Sequence, residues 1–181
     1  MKIIKSPHPD ILISRYRKKR LFAFNKFYEP QQGYLMMMVD PSGRIESSVG
    51  GEVENSDTIY SLKKTFEFTW GIGKLPCFTN ENELPVKLGI NGKASFEVEE
   101  SVKFFEKLEI GKAKKVYITT FKTKHWMPLW KTLLEETFAD EKITRLEAPQ
   151  FITGKLREAI DKKTLSVYGV SVKHITINSM T

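Results

Sequence analysis

Two turn motifs, each lying between runs of strand-forming residues, constrain the fold of this chain more than any other feature. Asp40-Pro41-Ser42-Gly43 separates 33–40 from 43–49, and it suits a β-turn because proline fixes φ early and glycine accepts a positive φ at the end. Asn91-Gly92, inside 86–98, is the pair favoured in type I′ hairpin turns. With a further strand over 20–28, the first motif predicts an antiparallel meander in the N-terminal half.

The remaining segments alternate between helical and strand-like patterns. Helices are predicted over 56–66 (with Ser56 as N-cap and Ile59, Leu62 and Phe66 on one face), 99–109, 125–138 and 151–163. The first of these segments could equally run into a strand at 65–70. Strands are predicted over 114–121, 142–148 and 164–178. The fold class is therefore predicted as α+β, with antiparallel hairpins first and a smaller β-α-β-α-β unit after residue 112.

The segment 71–85 is rich in glycine, proline and asparagine, and it is predicted to be irregular. The chain of 181 residues is long enough to bury a core, and the prediction is one α+β domain over 1–181. A seam is placed at 71–85, between a β-rich 1–70 and a mixed 86–181.

Cysteine usage and hydropathy bear on location. Cys77 is the only cysteine, so the chain cannot form an internal disulfide, and a reducing compartment is favoured. The longest apolar run, 34–39, is far too short to span a membrane, and 1–10 lacks the apolar stretch of a signal peptide. A cytoplasmic protein without membrane contact is expected.

Positive charge is concentrated near the N-terminus. The net charge is +7, and five cations fall within six residues: Arg15, Arg17, Lys18, Lys19 and Arg20. Cations at this density repel one another unless they are solvated or matched by phosphates, so the run indicates either nucleic-acid binding or a solvated strand edge.

Four further cations are candidates for the same role. Lys122 and Lys124 follow the predicted strand 114–121, where a sheet edge and a helix start would favour an anion. Lys155 and Arg157 follow Gly154 at the start of the predicted helix 151–163.

The candidate catalytic residues lie in "VSVKHITIN", 170–178. On a strand, His174 and Thr176 share a face, and His-x-Thr resembles one half of the motif of two-histidine phosphoesterases. Such an enzyme needs a second copy for general acid–base catalysis, but the contexts of His8 and His125 do not supply it. A strand with a β-bulge near 173–174 explains the same pattern without catalysis. His125 is the other weak catalytic candidate.

Three functions follow as expectations. The first is a nucleic-acid-binding protein that contacts phosphates, with DNA and RNA not distinguished, as part of an assembly with other protein subunits. The second is a phosphodiester-acting enzyme, a nuclease or phosphoesterase using His174 or His125. The third is a non-enzymatic module that binds an acidic protein partner. No metal site and no cofactor are predicted.

Overall fold

The strands that the structure describes form three sheets. The structure, a computed structural model, describes residues 2–4, 8–16, 26–54, 56–79, 83–110 and 113–181. Within these ranges there are eleven strands: β1 (Lys2–Ile4), β2 (Ile11–Tyr16), β3 (Lys26–Pro30), β4 (Tyr34–Val39), β5 (Ile45–Ser48), β6 (Gly51–Val53), β7 (Thr58–Lys63), β8 (Thr65–Phe78), β9 (Pro85–Val98), β10 (Lys115–Tyr117) and β11 (Val170–Met180). The sheet orders are β1-β3-β6, β10-β2-β7-β4-β5 and β11-β9-β8.

The helices lie in the C-terminal part of the chain. They are α1 (Ser101–Lys107), α2 (Ile118–Phe121), α3 (Met127–Asp140), α4 (Ala148–Phe151) and α5 (Arg157–Tyr168). Widened π-helical turns, Lys122–Trp126 and Ile152–Leu156, join α2 to α3 and α4 to α5 without a break. The predicted α+β class, with antiparallel hairpins before the helices, is confirmed.

The first turn motif forms the predicted hairpin. β4 and β5 pair antiparallel, and the Gly43 N–H donates to the Asp40 carbonyl at 3.0 Å. Gly43 has a φ of +89°, which glycine adopts without the Cβ penalty of other residues. The meander prediction was wrong, because β3 pairs with β1 and β6, whereas β4 pairs with β7. Residues 20–25 of the predicted strand 20–28 lie outside the described residues.

The second turn motif does not form a turn. Asn91 and Gly92 lie inside β9, which pairs along its length with β8 on one side and β11 on the other. Two partner strands satisfy the backbone here, and this tertiary pairing outweighs the local turn preference. The chain reverses earlier, where the Thr79 N–H donates to the Leu84 carbonyl at 3.0 Å.

Three other local predictions were wrong. The predicted helix 56–66 is β7 followed by the start of β8. Most of the segment predicted to be irregular is strand, because β8 runs through Phe78, with a register shift between Ile72 and Leu75. The predicted strand 142–148 is reduced to one parallel bridge between Phe78 and Thr144. The assignment of 1–181 to one domain stays a prediction.

The terminal strands also differ in extent from their predictions. Of the strand predicted over 114–121, only the part that forms β10 is a strand, and α2 begins directly after it. Residues 164–168 belong to α5, which ends at Gly169 in the left-handed region with a φ of +71°. Because β10 pairs with β2 and β11 pairs with β9, the two strands lie in different sheets.

Two buried clusters hold these elements together. The smaller cluster lies between the first two sheets and consists of Ile4, Tyr28, Met36, Val53 and Ile59. The larger cluster packs the helices against the second and third sheets. Aromatic rings dominate it: Phe96 stacks on Phe66 with ring centroids 5.2 Å apart, and Trp126 stacks on Trp130 at 5.4 Å.

Candidate nucleic-acid interface

Arg15, the one cation of the 15–20 run that the structure describes, lies beside two lysines from the other half of the sequence. The Arg15 N–H donates to the Lys114 carbonyl at 2.8 Å, and Lys115 is the cross-strand partner of Ser14. These contacts form because β10 adds antiparallel to β2 at the end of the five-stranded sheet. We call Arg15, Lys114 and Lys115 the basic edge.

All three side chains of the basic edge are exposed. Within the described residues, no carboxylate lies within 4.0 Å of any of them, in contrast to cations such as Lys93 and Lys173, which form ion pairs. Strand alternation places Arg15 and Lys114 on one face of the β2–β10 pair and Lys115 on the other. The charges of the edge therefore point to both sides of the strand pair, toward solvent. Arg17, Lys18, Lys19 and Arg20 lie outside the described residues.

Lys122 and Lys124 follow the basic edge along the chain. They lie in the π-helical turn between α2 and α3, a few residues beyond the end of β10. Lys124 is exposed and Lys122 is half-buried, and neither has an ion-pair partner among the residues that the structure describes. Along the chain, β10 and α2 thus join the basic edge to Lys122 and Lys124.

Lys155 and Arg157 are held by other parts of the molecule. The Lys155 ammonium donates to Glu141 Oε1 at 2.6 Å and lies 5.1 Å from the centre of the Phe151 ring. Arg157 is half-buried, and its guanidinium donates to the Val172 carbonyl at 3.4 Å. Both cations are thus already engaged by protein groups, so a phosphate would have to compete with those contacts.

His174 lies on the solvent face of the third sheet. The register of β11 against β9 shifts between Val172 and His174, so the predicted β-bulge is confirmed. His174 and Thr176 are both exposed, and the buried Ile175 separates them. The shared face expected for the pair is therefore present.

His174 also lines an open cleft of about 560 Å³. Its cross-strand partner is Ser95, whose other neighbour across the sheet is Glu67. Among the described residues the buried Oγ of Ser95 has no hydrogen-bond partner. Other polar side chains of the cleft are Asp10, Lys63, Thr65 and Lys173.

Carboxylates hold the Lys173 side chain at the border of this cleft. Its ammonium lies 3.1 Å from Glu97 and 2.7 Å from Glu99. Hydrogen bonds to these groups raise the pKa of Lys173, and the bond from Lys173 lowers the pKa of Glu99. The positive charge of Lys173 is thus matched within the protein.

His125 is a packed side chain in a different environment. Its ring centroid lies 6.1 Å from that of Phe121 and 5.4 Å from that of Tyr168. Burial lowers the pKa of His125, and the nearby Lys124 lowers it further. Because His125 does not line the cleft of His174, the two histidines do not form a catalytic pair.

Three residues at or near the basic edge were not predicted as site residues from the sequence. Lys114 and Lys115 join the site only through the pairing of β10 with β2, which depends on contacts about one hundred positions apart along the chain. Tyr117, 45% exposed at the end of β10, could have been found as an aromatic residue close to two lysines.

Comparison with protein-family models and with curated proteins finds no match to this chain. Within the described ranges, no three His, Cys, Asp or Glu side chains come together to hold a metal ion. No helix in the same ranges is long and apolar enough to cross a membrane.

Proposed function

We propose that this protein binds nucleic acid by contacting phosphates through the basic edge. One observation carries the proposal: Arg15 and Lys114 lie side by side on one face of the β2–β10 pair and Lys115 lies on the other face, all three exposed and without a carboxylate partner among the described residues. In the sequence, Arg15 is followed by four more cations of the run 15–20, and β10 is followed by Lys122 and Lys124, which are further candidates for phosphate contacts.

Electrostatics favours a polyanion as the ligand. Like charges that lie close together repel one another, and a chain of phosphates removes that repulsion while it releases its own condensed counterions. An acidic protein surface would also be attracted, but its charges do not follow the regular spacing of a phosphate backbone. Because phosphate contacts carry no base information, the proposal concerns affinity and not sequence preference.

A charge-matched pair of variants tests the position of the site. The first variant carries glutamine at the three basic-edge positions. The control carries glutamine at three exposed lysines on β9 and α5, so both variants lower the net charge of +7 by three. The control substitutions are Lys87→Gln, Lys162→Gln and Lys163→Gln.

Binding would be followed by fluorescence anisotropy with labelled single-stranded and duplex DNA and RNA at low salt. We expect the basic-edge variant to lose at least about tenfold in affinity and the control to lose much less, because neutralised phosphates contribute additively. Equal losses in both variants would show that only net charge matters. Absence of binding by the wild-type protein would overturn the proposal and leave an acidic protein partner as the explanation of the charge.

A second candidate function rests on the His174 cleft. There, the exposed imidazole lies directly across from the hydroxyl of Ser95, which has no hydrogen-bond partner among the described residues, and Lys63 lines the same cleft. This arrangement could hold a phosphodiester while His174 transfers a proton. The test is hydrolysis of a labelled oligonucleotide: loss of activity in His174→Ala with binding retained would support an enzyme. Activity that persists in that variant, or that depends instead on His125, would exclude His174.

A further inference from the structure

We propose that the nucleic acid bound at the basic edge is single-stranded, and that Tyr117 is the platform on which one base stacks. This inference rests on the proposed function and adds the class of nucleic acid to it. Tyr117 is 45% exposed, and among the Phe, Tyr and Trp side chains on the described strands it and Phe27 are the two that are exposed.

Strand geometry places Tyr117 next to a cation of the site. β10 alternates exposed Lys115, buried Val116 and exposed Tyr117, so the first and third side chains share a face about 7 Å apart. The pairing with β2 shifts between Val116 and Tyr117, where Leu12 of β2 is skipped, but the backbone of Tyr117 stays extended, so the alternation along β10 is kept. The ring therefore stands on the same face as the Lys115 ammonium. A phosphate on Lys115 would put the neighbouring base within reach of the tyrosine ring.

The position of β10 leaves room for an extended ligand. β10 is the terminal strand of its sheet, with β2 on one side and, among the described residues, no strand on the other. The exposed Lys115 precedes Tyr117 and the exposed Lys124 follows it, so cations lie on both sides of the ring along the chain. An aromatic ring between cations is the arrangement by which single-strand binders track the backbone and stack the bases.

A duplex would not use this ring. The faces of its bases are covered by neighbouring base pairs, so Tyr117 could contact only the sugar–phosphate surface. The same cations would still attract a duplex. The difference between the two ligands must therefore come from the tyrosine ring.

The experiment compares a fluorescein-labelled oligothymidine of about 20 nucleotides, longer than a typical single-strand site, with a duplex of equal length. Three variants are measured with each probe. Tyr117→Ala removes the ring, and Tyr117→Phe retains it. Phe27→Ala removes a 49% exposed ring on β3, in another sheet, and serves as the matched control.

We expect Tyr117→Ala to weaken oligothymidine binding about tenfold, the loss typical of one stacked base, and to leave duplex binding nearly unchanged. Tyr117→Phe and Phe27→Ala should bind as the wild type does. Equal losses on both probes in Tyr117→Ala, or no loss on either, would overturn the role of Tyr117 while the proposed function stands. Absence of binding by the wild type to both probes would overturn the two proposals together.

A second measurement is needed if Tyr117→Ala perturbs the start of α2, because binding would then fall for a structural reason. Tyr117→Trp adds an exposed indole to a protein whose three tryptophans are buried. We expect oligothymidine to quench the emission of this variant and to leave the emission of the wild type unchanged. Binding without quenching in Tyr117→Trp would also contradict stacking at this position.

Discussion

His125 is a titratable residue inside an aromatic contact. Its ring lies between Phe121 and Tyr168, and burial is the main cause of its lowered pKa. In the unfolded chain the group returns to an ordinary pKa of about 6.5. The unfolded state therefore binds the proton more readily, and the contribution of this site to stability is complete above about pH 6.5 and declines as the pH falls below it.

This difference predicts a pH-dependent stability that the variant His125→Phe lacks. Phenylalanine keeps the ring contacts with Phe121 and Tyr168 and removes the proton. Between about pH 7.5 and pH 5.5, the urea midpoint of the wild type should fall further than that of His125→Phe. If the urea midpoints of the two proteins fell by the same amount, His125 would not be the group that causes the pH dependence of stability.

Two glycines near the two ends of one long helix should respond in opposite ways to alanine. Gly169 ends α5 with a φ of +71°, and an added Cβ would lie 2.6 Å from Glu100 Cβ and 2.9 Å from its carbonyl oxygen. Gly154 lies in the π-helical turn before α5, and an added Cβ would meet no atom within 4 Å.

We therefore expect Gly169→Ala to destabilise the protein by about 2 kcal/mol or more, from left-handed strain together with a steric clash. Gly154→Ala should stabilise it by about 0.5–1 kcal/mol, because alanine restricts the unfolded chain and favours a helix. Chemical denaturation of both variants measures the two effects. Destabilisation of similar size in both would contradict the backbone assigned to Gly169.

At single residues, the sequence predicted features that depend only on neighbouring residues in the chain. The β-bulge beside His174 could be predicted because the alternation of apolar residues along 170–178 changes phase there. The neighbours of Arg15 could not be predicted, because they depend on which strand pairs with β2.

Among the elements, β9 shows how pairing on both sides overrides a turn signal. Its Gly92 faces the core, where an added Cβ would collide with the carbonyl oxygen of Thr176 and lie 2.9 Å from the Trp70 ring. A glycine is needed at this position because the neighbouring strand and ring approach the backbone closely.

This contact predicts a large effect of Gly92→Ala and a small effect of Gly71→Ala. Gly71 is the neighbour of Asn91 on β8, and an added Cβ would come no closer than 3.5 Å to any atom. We expect Gly92→Ala to cost several kcal/mol, about the loss caused by overpacking a core, and Gly71→Ala to cost less than about 1 kcal/mol. Thermal unfolding of both variants provides the measurement. A mild effect of Gly92→Ala would contradict the close approach of the Thr176 carbonyl and the Trp70 ring to this position.

The type of an element could be predicted where its apolar residues fit only a helix or only a strand. The prediction failed where the apolar residues fit both. The hairpin of β4 and β5 carries its own turn residues, and the π-helical turn with α3 keeps Trp126, Trp130 and Leu134 buried at helical spacing. β7 is buried on both faces, so its apolar residues do not alternate and also fit a helix.

At the scale of the whole molecule, the net charge is +7, and the cations differ between surfaces in whether they form ion pairs. Many lysines, among them Lys64, Lys93 and Lys173, form ion pairs across the third sheet. The basic edge of the second sheet has no such partners among the described residues. The α+β class could be predicted from the first turn motif and the alternation of helical and strand-like patterns, whereas this separation of paired from unpaired charge required the sheet order.

The measurement that tests the central claim most directly is the salt dependence of binding to labelled oligothymidine by the wild-type protein. Four or five phosphate contacts should give a slope of about −3 in a plot of log affinity against log salt, at about −0.7 per contact on a single strand. The basic-edge variant should show a slope shallower by about 2, because three contacts are removed. A flat dependence in the wild type, or the same slope in both proteins, would contradict the claim that this surface binds phosphates.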